Sequence, residues 1–444
     1  MNEKKEKKQQ NETLSESEKK KFSEKIGRFF HTETQKEKVL RHEDFDAAGD
    51  VYYAGVSAVY KVAQRALWLL FILFMILSIT FNHAEITYDN FYYLIKDFSG
   101  AADYEGSYYE TLSYESDDRQ NFILYRGGLA SVSPSKIFVF TATGRRTLNM
   151  ATSFSSPFME SSNKYILVYD TSGTTFSLYN SFARVFTETL DYPVTNAALA
   201  EDGSFVIVSS TADRRSVITV YNRSFKKASE LKADYFVFDI VVSRERNTLA
   251  ILSYDAGKGT GRTTLSVRDL STMEETKALH FDGEFPLSCG FLENEGFAIM
   301  TNRHIRVFDK TMEERDISDD YSSGNITGYS LTSEGIAVCA TINAQTMVYA
   351  FDKYGKVLYN ESVDFNVSDI GVYDSYVFMQ TENGVERLNP NPPKGEDPIQ
   401  SLPSGDGKML IYNHKTVLVC GESKAEYWGY VSASLFFFFL NFYL

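Results

Sequence analysis

The chain has 444 residues, with 45 Lys and Arg, 59 Asp and Glu and a net charge of -14. This balance argues against a nucleic-acid partner, because phosphate affinity needs clustered cationic side chains. Three cysteines are too few for a disulfide-stapled scaffold, and 43% hydrophobic residues are enough for a sizeable core. Composition therefore excludes nucleic-acid binding and global disorder, and it leaves activity open.

The N-terminal segment is rich in Lys, Glu, Gln and Ser and has few apolar residues. Such a segment cannot bury enough apolar surface to fold. We therefore predict a disordered cytoplasmic tail over residues 1–45. From Asp46 onward the pattern becomes compatible with a helix, which predicts a juxtamembrane and transmembrane helix over residues 46–82.

An uncharged apolar run, Ala66–Phe81, follows the tail. Extended back to Val62, it reaches the ~20 residues that cross a ~30 Å hydrocarbon layer, although a buried core helix is the alternative. Lys61 and Arg65 precede the run, whereas Phe81–Ile95 contains acidic residues and neither Lys nor Arg. The positive-inside rule then predicts a single-pass cell-membrane protein with a cytoplasmic N-terminus, a span at about residues 62–82 and an extracytoplasmic domain over 83–430.

A short segment recurs through the region after the span. It reads apolar, any residue, apolar, aromatic, then a turn-forming residue, and it returns about every 40 residues. Its eight copies begin at Ile137, Phe176, Ile218, Leu265, Ile305, Val348, Val385 and Ala425. Other short apolar strands precede most copies, and three to four strands per repeat are typical of a β-propeller blade. We predict an all-β fold, a propeller of seven to eight blades with eight favoured, over a two-sheet sandwich.

The repeat also predicts local structure. Alternation in most copies indicates a strand with one buried face. Asn or Asp at the fifth position of most copies predicts a turn, because these short side chains cap their own backbone. Little strand sequence follows Trp428, so ring closure would borrow a strand such as Tyr108–Tyr114 or Phe122–Tyr125.

Tyr349–Tyr359, YAFDKYGKVLY, resembles the quinoprotein-type propeller repeat, apolar-x-Ala-aromatic-Asp-x-x-Thr-Gly-Lys-x-Leu-Trp. Its turn is one residue shorter, with Tyr354 in place of Thr and Tyr359 in place of Trp. The whole layout is similar to an uncharacterised family of single-pass membrane proteins with an extracytoplasmic, degenerate quinoprotein- or WD40-like propeller, as in Gram-positive, clostridia-type bacteria. The resemblance implies a fold and a location, and no activity.

Residues suited to chemistry are scarce. Quinoprotein dehydrogenases carry a vicinal cysteine pair, stacking tryptophans and calcium, whereas this chain has Trp68 and Trp428 alone. The cysteines are isolated in strand contexts, which predicts core packing: Cys289, Cys339 and Cys420. The histidines show no zinc spacing, and Asp316–Asp320 lacks the pattern of a calcium loop. We predict no catalytic, cofactor-binding or metal-ligating residue and no cofactor.

Three segments stand apart from the repeat. Asp255–Arg262 contains GKGTG and predicts a flexible hairpin between two strands. Asn389–Pro403 is proline-rich and predicts an inter-blade loop or, less favoured, a peptide-recognition element. The apolar C-terminal tail, residues 431–444, could be an interfacial segment, a buried closure strand or an aberrant tail from a shifted reading frame.

The favoured function is a membrane-anchored extracytoplasmic scaffold that binds a protein, a peptide or a cell-envelope polymer. The alternative is a small-ligand sensor or quinoprotein-like enzyme that uses the central channel, and an enzyme is the less favoured of these readings. Asp, His or Arg side chains that converge on the channel would favour the alternative.

Overall fold

A computed structural model describes residues 47–81, 88 and 110–430, except 118, 214, 244, 258, 294, 395–396 and 406. The predicted tail over residues 1–45, most of the flank after the apolar run, and the segment 431–444 lie outside the described residues. The chain divides into two units, Met1–Gly100 and Ala101–Leu444. Among the described residues, helix α1 belongs to the first unit and 32 strands belong to the second.

Helix α1 spans Ala47–Phe81. Its stretch Val59–Leu77 has a mean hydropathy of 1.6, and none of it is buried. The Thr80 hydroxyl donates a hydrogen bond to the Ile76 carbonyl at 2.7 Å, so this polar group is satisfied within the helix. The predicted apolar helix is confirmed. Among the described residues it is the one helix that is long and apolar enough to cross a membrane, and the crossing itself stays a prediction.

The strands form eight four-stranded antiparallel sheets, the blades of a propeller. The strands of blades 1 to 4 are β2 (Asn121–Tyr125), β3 (Gly128–Val132), β4 (Lys136–Phe140), β5 (Arg146–Ala151), β6 (Pro157–Ser161), β7 (Ile166–Asp170), β8 (Thr175–Tyr179), β9 (Arg184–Thr189), β10 (Val194–Leu199), β11 (Phe205–Ser210), β12 (Ser216–Tyr221), β13 (Lys227–Ala233), β14 (Phe236–Ser243), β15 (Thr248–Asp255), β16 (Arg262–Asp269) and β17 (Glu275–Asp282).

Blades 5 to 8 continue in the same order, and the outer strand of blade 8 is β1 (Glu110–Ser113). The strands of these blades are β18 (Pro286–Phe291), β19 (Phe297–Thr301), β20 (Ile305–Phe308), β21 (Glu314–Ile317), β22 (Asn325–Thr332), β23 (Gly335–Ile342), β24 (Gln345–Asp352), β25 (Val357–Val363), β26 (Asp369–Tyr373), β27 (Tyr376–Thr381), β28 (Gly384–Leu388), β29 (Ile399–Leu402), β30 (Lys408–Asn413), β31 (Thr416–Cys420) and β32 (Lys424–Gly429). The first strand of each blade is innermost, and neighbouring first strands adjoin around the ring.

Ring closure joins the two ends of the propeller. Strand β1 pairs with β32, with Leu112 opposite Ala425, and so supplies the fourth strand of blade 8. Leu112 is buried and belongs to one core cluster with Phe138 and Tyr427. The favoured prediction of eight blades is confirmed, as is the borrowed strand within Tyr108–Tyr114. The alternative prediction of seven blades is wrong.

All eight copies of the repeat are third strands of blades. The copy in β32 does alternate, because Ala425 and Tyr427 are buried and Glu426 and Trp428 are partly exposed. The expectation of one buried face is wrong for the copy in β4, where Ile137, Phe138, Val139 and Phe140 are all at most 4% exposed. The reason is that a blade packs against a neighbour on each side, so both faces of its central strands are covered. The core is therefore divided into clusters between successive blades.

The predicted turns are confirmed at the ends of the third strands. The Asp352 Oδ1 atom accepts hydrogen bonds from the backbone amides of Tyr354 at 2.9 Å and Lys356 at 2.8 Å. The same side-chain capping occurs at Asn180, Asn222, Asp269, Asp309 and Asn389. Gly355 has a φ of 74°, which a side chain rarely tolerates, and it completes the turn after Asp352.

The interpretation of Asn389–Pro403 as an inter-blade loop is wrong. Its residues Ile399–Leu402 form β29, with Leu388 opposite Ile399, so most of the segment joins two strands of blade 7. Strand hydrogen bonding therefore continues past the prolines.

Two other local predictions are confirmed. Asp255 pairs with Arg262, so the segment between them is a hairpin that joins β15 and β16. The three cysteines are free and buried, as expected for core packing.

Candidate functional site

The antiparallel order of each blade places its connections on two opposite faces of the ring. One face carries the connections from second to third strands and from each outer strand to the next blade. The opposite face carries the connections from first to second and from third to fourth strands. Because the two faces differ in charge, we name the first the acidic face and the second the balanced face.

Exposed large apolar side chains are concentrated on the acidic face. Five lie in its connections or at the adjoining strand ends: Phe158, Tyr192, Phe236, Phe285 and Ile317. The balanced face has Tyr354 and Val357, and Tyr329 lies within β22. Single exposed apolar residues are ordinary on a protein surface, whereas five on one face of the ring make that face the candidate interaction surface.

Four rings on blades 4 and 5 form the aromatic cluster: Phe236, Phe238, Tyr254 and Phe285. The Phe285 ring centroid lies 4.9 Å from that of Tyr254 and 5.2 Å from that of Phe238, both edge to face. Phe236 lies opposite Tyr254 in the β14–β15 pair. Phe236 is 49% exposed and Phe285 is 40% exposed. Ring contacts of this kind fix the cluster, while two of its rings remain available to a partner.

The hairpin Asp255–Arg262 supports the aromatic cluster from one side. A Cβ atom on Gly261 would lie 1.9 Å from the Tyr254 hydroxyl oxygen, so the hairpin backbone lies directly against this ring. Glycine permits that approach because it has no side chain. The GKGTG run therefore has a packing role beside the cluster.

Charge distinguishes the two faces. The described connections of the acidic face carry eleven acidic and three basic residues, and those of the balanced face carry eleven of each. On the acidic face these are Glu115, Asp117, Asp191, Asp213, Asp234, Glu284, Asp319, Asp320, Asp364, Glu382 and Glu422, with Arg119, Arg215 and Arg303. On the balanced face they are Glu201, Asp202, Glu245, Glu274, Glu293, Glu295, Asp309, Glu313, Glu334, Asp374 and Asp397, with Arg126, Arg145, Lys164, Arg223, Lys226, Arg246, Lys310, Lys353, Lys356, Lys394 and Lys415.

Polar side chains on the innermost strands tie neighbouring blades together. The Asn121 side-chain amide of blade 1 donates to the Pro157 carbonyl of blade 2 at 2.7 Å. The Asn196 amide of blade 3 donates to the Phe238 carbonyl of blade 4 at 3.0 Å. These amides hold the ring together at the channel, since each satisfies a backbone group of the next blade.

Carboxylates make the same kind of link elsewhere around the channel. Asp239 of blade 4 accepts hydrogen bonds at 2.9 Å from the Ser288 hydroxyl and the Cys289 amide of blade 5. Asp369 of blade 7 forms an ion pair at 2.7 Å with Lys408 of blade 8. Burial raises the pKa of Asp239, and the bonds from Cys289 and Ser288 oppose that rise.

Glu160 on β6 is different, because its carboxylate forms no hydrogen bond within the described residues. Its side chain is accessible to water although protein surrounds it, as expected in a channel. Burial and the charge of Asp239 raise the pKa of Glu160 to about 7. Glu160 and Asp239 both lie on the innermost strands of their blades, β6 of blade 2 and β14 of blade 4, which line the channel. Burial and the same two charges raise the pKa of Tyr169.

Two cavities open on the balanced face. One has a volume of about 420 Å³ and lies between the turn of blade 3 that contains Asn222 and Arg223 and the turn of blade 4 that contains Leu270. The other has about 150 Å³ and lies under the proline-rich segment, beside Arg387. The Arg387 guanidinium is stacked between the rings of Tyr376 and Tyr430, at 4.8 and 4.4 Å. That arrangement commits the guanidinium to packing between blades 7 and 8.

Sequence analysis predicts no catalytic, cofactor-binding or metal-ligating residue, and it does not predict the aromatic cluster or Glu160. In the part of the chain that the structure describes, no three His, Cys, Asp or Glu side chains come together as a metal site. A usable signal for the cluster does exist in the sequence. Phe236 and Phe285 of the cluster each lie at, or one residue before, the first strand of a blade, and the exposed Tyr192 lies two residues before another.

This architecture defines the protein as an eight-bladed β-propeller preceded by one apolar helix. The chain belongs to a family of unknown function (DUF5711), whose model matches residues 100–391. A search of curated proteins found no match.

Solved structures share the fold at low sequence identity. BamB from Moraxella catarrhalis is 10% identical with a TM-score of 0.50, over 73% of this chain and 99% of that chain. The Dos1 propeller is 10% identical with a TM-score of 0.48, over 73% of this chain and 93% of that chain. Hsv2 from Kluyveromyces lactis is 12% identical with a TM-score of 0.44, over 63% of this chain and 96% of that chain. The likeness to BamB establishes the propeller fold alone.

Proposed function

We propose that this protein is a non-enzymatic binding scaffold, anchored in the cell membrane by α1, with the propeller outside the cell. Its partner is a protein, a peptide or a cell-envelope polymer. The observation that carries the proposal is the concentration of exposed aromatic side chains on one face of a closed ring. A rigid ring that presents apolar groups loses little conformational entropy when a partner binds.

The location of the propeller rests on the flanks of the apolar helix. Lys61 and Arg65 lie on the side of the tail, which favours a cytoplasmic N-terminus. A reporter enzyme that is active only outside the cytoplasm, fused after residue 100, should be active in intact cells. Activity of the matched cytoplasmic reporter at the same position would contradict the proposed orientation.

Partner binding is tested with the full chain, solubilised in mild detergent from envelope fractions after chemical cross-linking. A scaffold should recover the same protein or polymer in repeated captures. Recovery of none, together with tight uptake of a metal ion or a quinone by the purified chain, would contradict the scaffold and favour an enzyme.

Glu160 favours a second candidate, a sensor that binds a small cationic ligand in the channel. A carboxylate without a protein partner can form an ion pair with an organic amine. Calorimetric titration of the full chain with a simple diamine tests this function. Heat that is lost in Glu160→Gln and retained in Glu334→Gln, a change on the balanced face, would support the sensor, and no heat in any variant would exclude it.

A further inference from the structure

We propose that the acidic face binds a basic polypeptide segment, with the aromatic cluster as the centre of the contact. This inference rests on the scaffold function proposed above, because it names the chemistry of the partner and the surface that receives it. It goes further by excluding the balanced face as the main interface.

The aromatic cluster supplies the first part of the argument. Interface energy is concentrated in a few aromatic and Arg side chains that fill desolvated contacts. The Phe285 ring is fixed against Tyr254 and Phe238, yet it remains 40% exposed. A pre-ordered ring of this kind can cover the aliphatic stem of a Lys or Arg side chain and attract its charge by a cation–π interaction.

Acidic residues without an internal ion-pair partner supply the second part. Asp191, Asp364 and Glu382 form no ion pair among the described residues, and Asp191 directly precedes the exposed ring of Tyr192. By contrast, two of the three basic residues of this face form ion pairs, since Arg303 binds Asp320 and Arg215 binds Asp213 and Asp234. The third, Arg119, donates a hydrogen bond to the Ser155 carbonyl at 3.3 Å. The free charge of the face is therefore negative, and it complements a cationic partner.

The negative charge of the acidic face also argues against other classes of binding partner. Anionic lipid headgroups and nucleic acids would be repelled by this face. A second copy of the chain would have to offer a basic surface, whereas its balanced face has equal numbers of acidic and basic residues. Two acidic faces would repel each other. A basic polypeptide can form ion pairs with the carboxylates and pack the stems of its Lys and Arg side chains against the aromatic rings.

The test compares two matched variants of the full chain in detergent micelles. Phe236→Ser with Phe285→Ser removes two exposed rings from the acidic face. Tyr354→Ser with Val357→Ser removes two side chains of similar exposure, both 43%, from the balanced face. The probe is a fluorescein-labelled peptide of repeating Lys-Leu-Arg-Ser units, read by anisotropy, with Glu in place of Lys and Arg in the control peptide.

We expect the acidic-face variant to weaken binding of the basic peptide about tenfold, and the balanced-face variant to change it less than about twofold. Charge reversal tests the second part of the argument. Asp191→Lys with Glu382→Lys should weaken binding more than Asp374→Lys with Glu334→Lys, although both pairs change the net charge equally. Binding should also weaken as salt rises.

Three results would overturn the inference: equal loss in both matched pairs, preference for the acidic peptide, or no binding of the basic peptide. Circular dichroism of each variant excludes loss of fold as the cause. The inference and the scaffold function fail separately. If cross-linking still captures a partner from cells and only the balanced-face variants release it, the scaffold stands and the acidic face is excluded.

Discussion

The acidic face and the balanced face are built from the same strands, yet they differ in net charge and in the number of exposed aromatic side chains. On the balanced face, Asp269, Asp309 and Asp352 cap turns, and hydrogen bonds from Thr311 and from the Glu313 backbone lower the pKa of Asp309. On the acidic face, Asp320 likewise accepts a hydrogen bond from the Ser322 amide at 2.8 Å, whereas Asp191 and Asp364 accept none within the part of the chain that the structure describes. Charge that the fold does not use is available to a partner, and this is why the proposed binding surface lies on the acidic face.

Exposed side chains also distinguish the two faces. Two cavities, of about 420 and 150 Å³, open on the balanced face, whereas the exposed rings of Tyr192, Phe236 and Phe285 lie on the acidic face. Cavities suit small molecules, and exposed aromatic side chains are enriched in the interfaces of macromolecules. The proposed macromolecular partner is therefore expected on the acidic face.

Weakening ring closure should cause the largest loss of stability, because both faces of the propeller depend on a closed ring. Leu112 is 2% exposed and attaches β1 to blade 8. Leu112→Ala leaves a cavity at this junction and should lower the free energy of unfolding by about 3 kcal/mol. Urea denaturation followed by fluorescence measures this loss. Ser113→Ala on the exposed side of the same strand is the control, and an equal effect there would contradict the role assigned to closure.

Removing the Glu160 carboxylate should have a moderate effect on the free energy of unfolding, and this effect should depend on pH. The pKa of Glu160 is about 7 in the folded state, above the usual 4.5, so ionisation opposes folding as pH rises from 4.5 through 7. Because water reaches the side chain, the cost is discounted to about 1 kcal/mol. Glu160→Gln should therefore stabilise the protein by about that amount at pH 8 and leave it unchanged below pH 4.5.

Denaturation curves at several pH values measure this effect. Glu382→Gln removes the same charge from an exposed connection, and its effect should not follow the same pH window. A stabilisation by Glu160→Gln that is equal at low and high pH would contradict the channel position of this carboxylate.

Removing a turn cap should cause the smallest loss of stability. Its effect should be confined to the balanced face. Asp352→Ala loses two hydrogen bonds to backbone amides in an exposed turn, so we expect a loss of about 1 kcal/mol or less. Asp352→Asn keeps an acceptor at the same atom and should retain most of the stability. Peptide binding at the acidic face should be unchanged in both variants, and weaker binding would contradict the independence of the two faces.

Much of this fold could be predicted from the sequence, because its repeat is local. The segments that begin at Ile137 and Val348 became third strands, and Asp352 capped its turn as predicted. Two-sided burial was missed because alternation along one strand does not reveal that a neighbouring blade covers each side. The position of Asn389–Pro403 was missed because β29 is short and follows prolines.

The candidate site was harder to predict, because it depends on contacts between distant segments. Phe238 and Phe285 come together only after blades 4 and 5 pack. Glu160 and Asp239 are separated by a whole blade in sequence, so no local pattern relates them. The exposure of Phe236, beside the buried Val237, follows from where β14 begins at the ring surface.

The most direct measurement compares two tyrosines of nearly equal exposure on opposite faces. Tyr192 on the acidic face is 42% exposed, and Tyr354 on the balanced face is 43% exposed. Each is replaced in turn by the photoreactive p-benzoylphenylalanine in cells that express the full chain, and cross-linked products are compared. The proposed interface predicts a cross-linked partner from position 192 and little or none from position 354. Cross-linking from position 354 alone would contradict it.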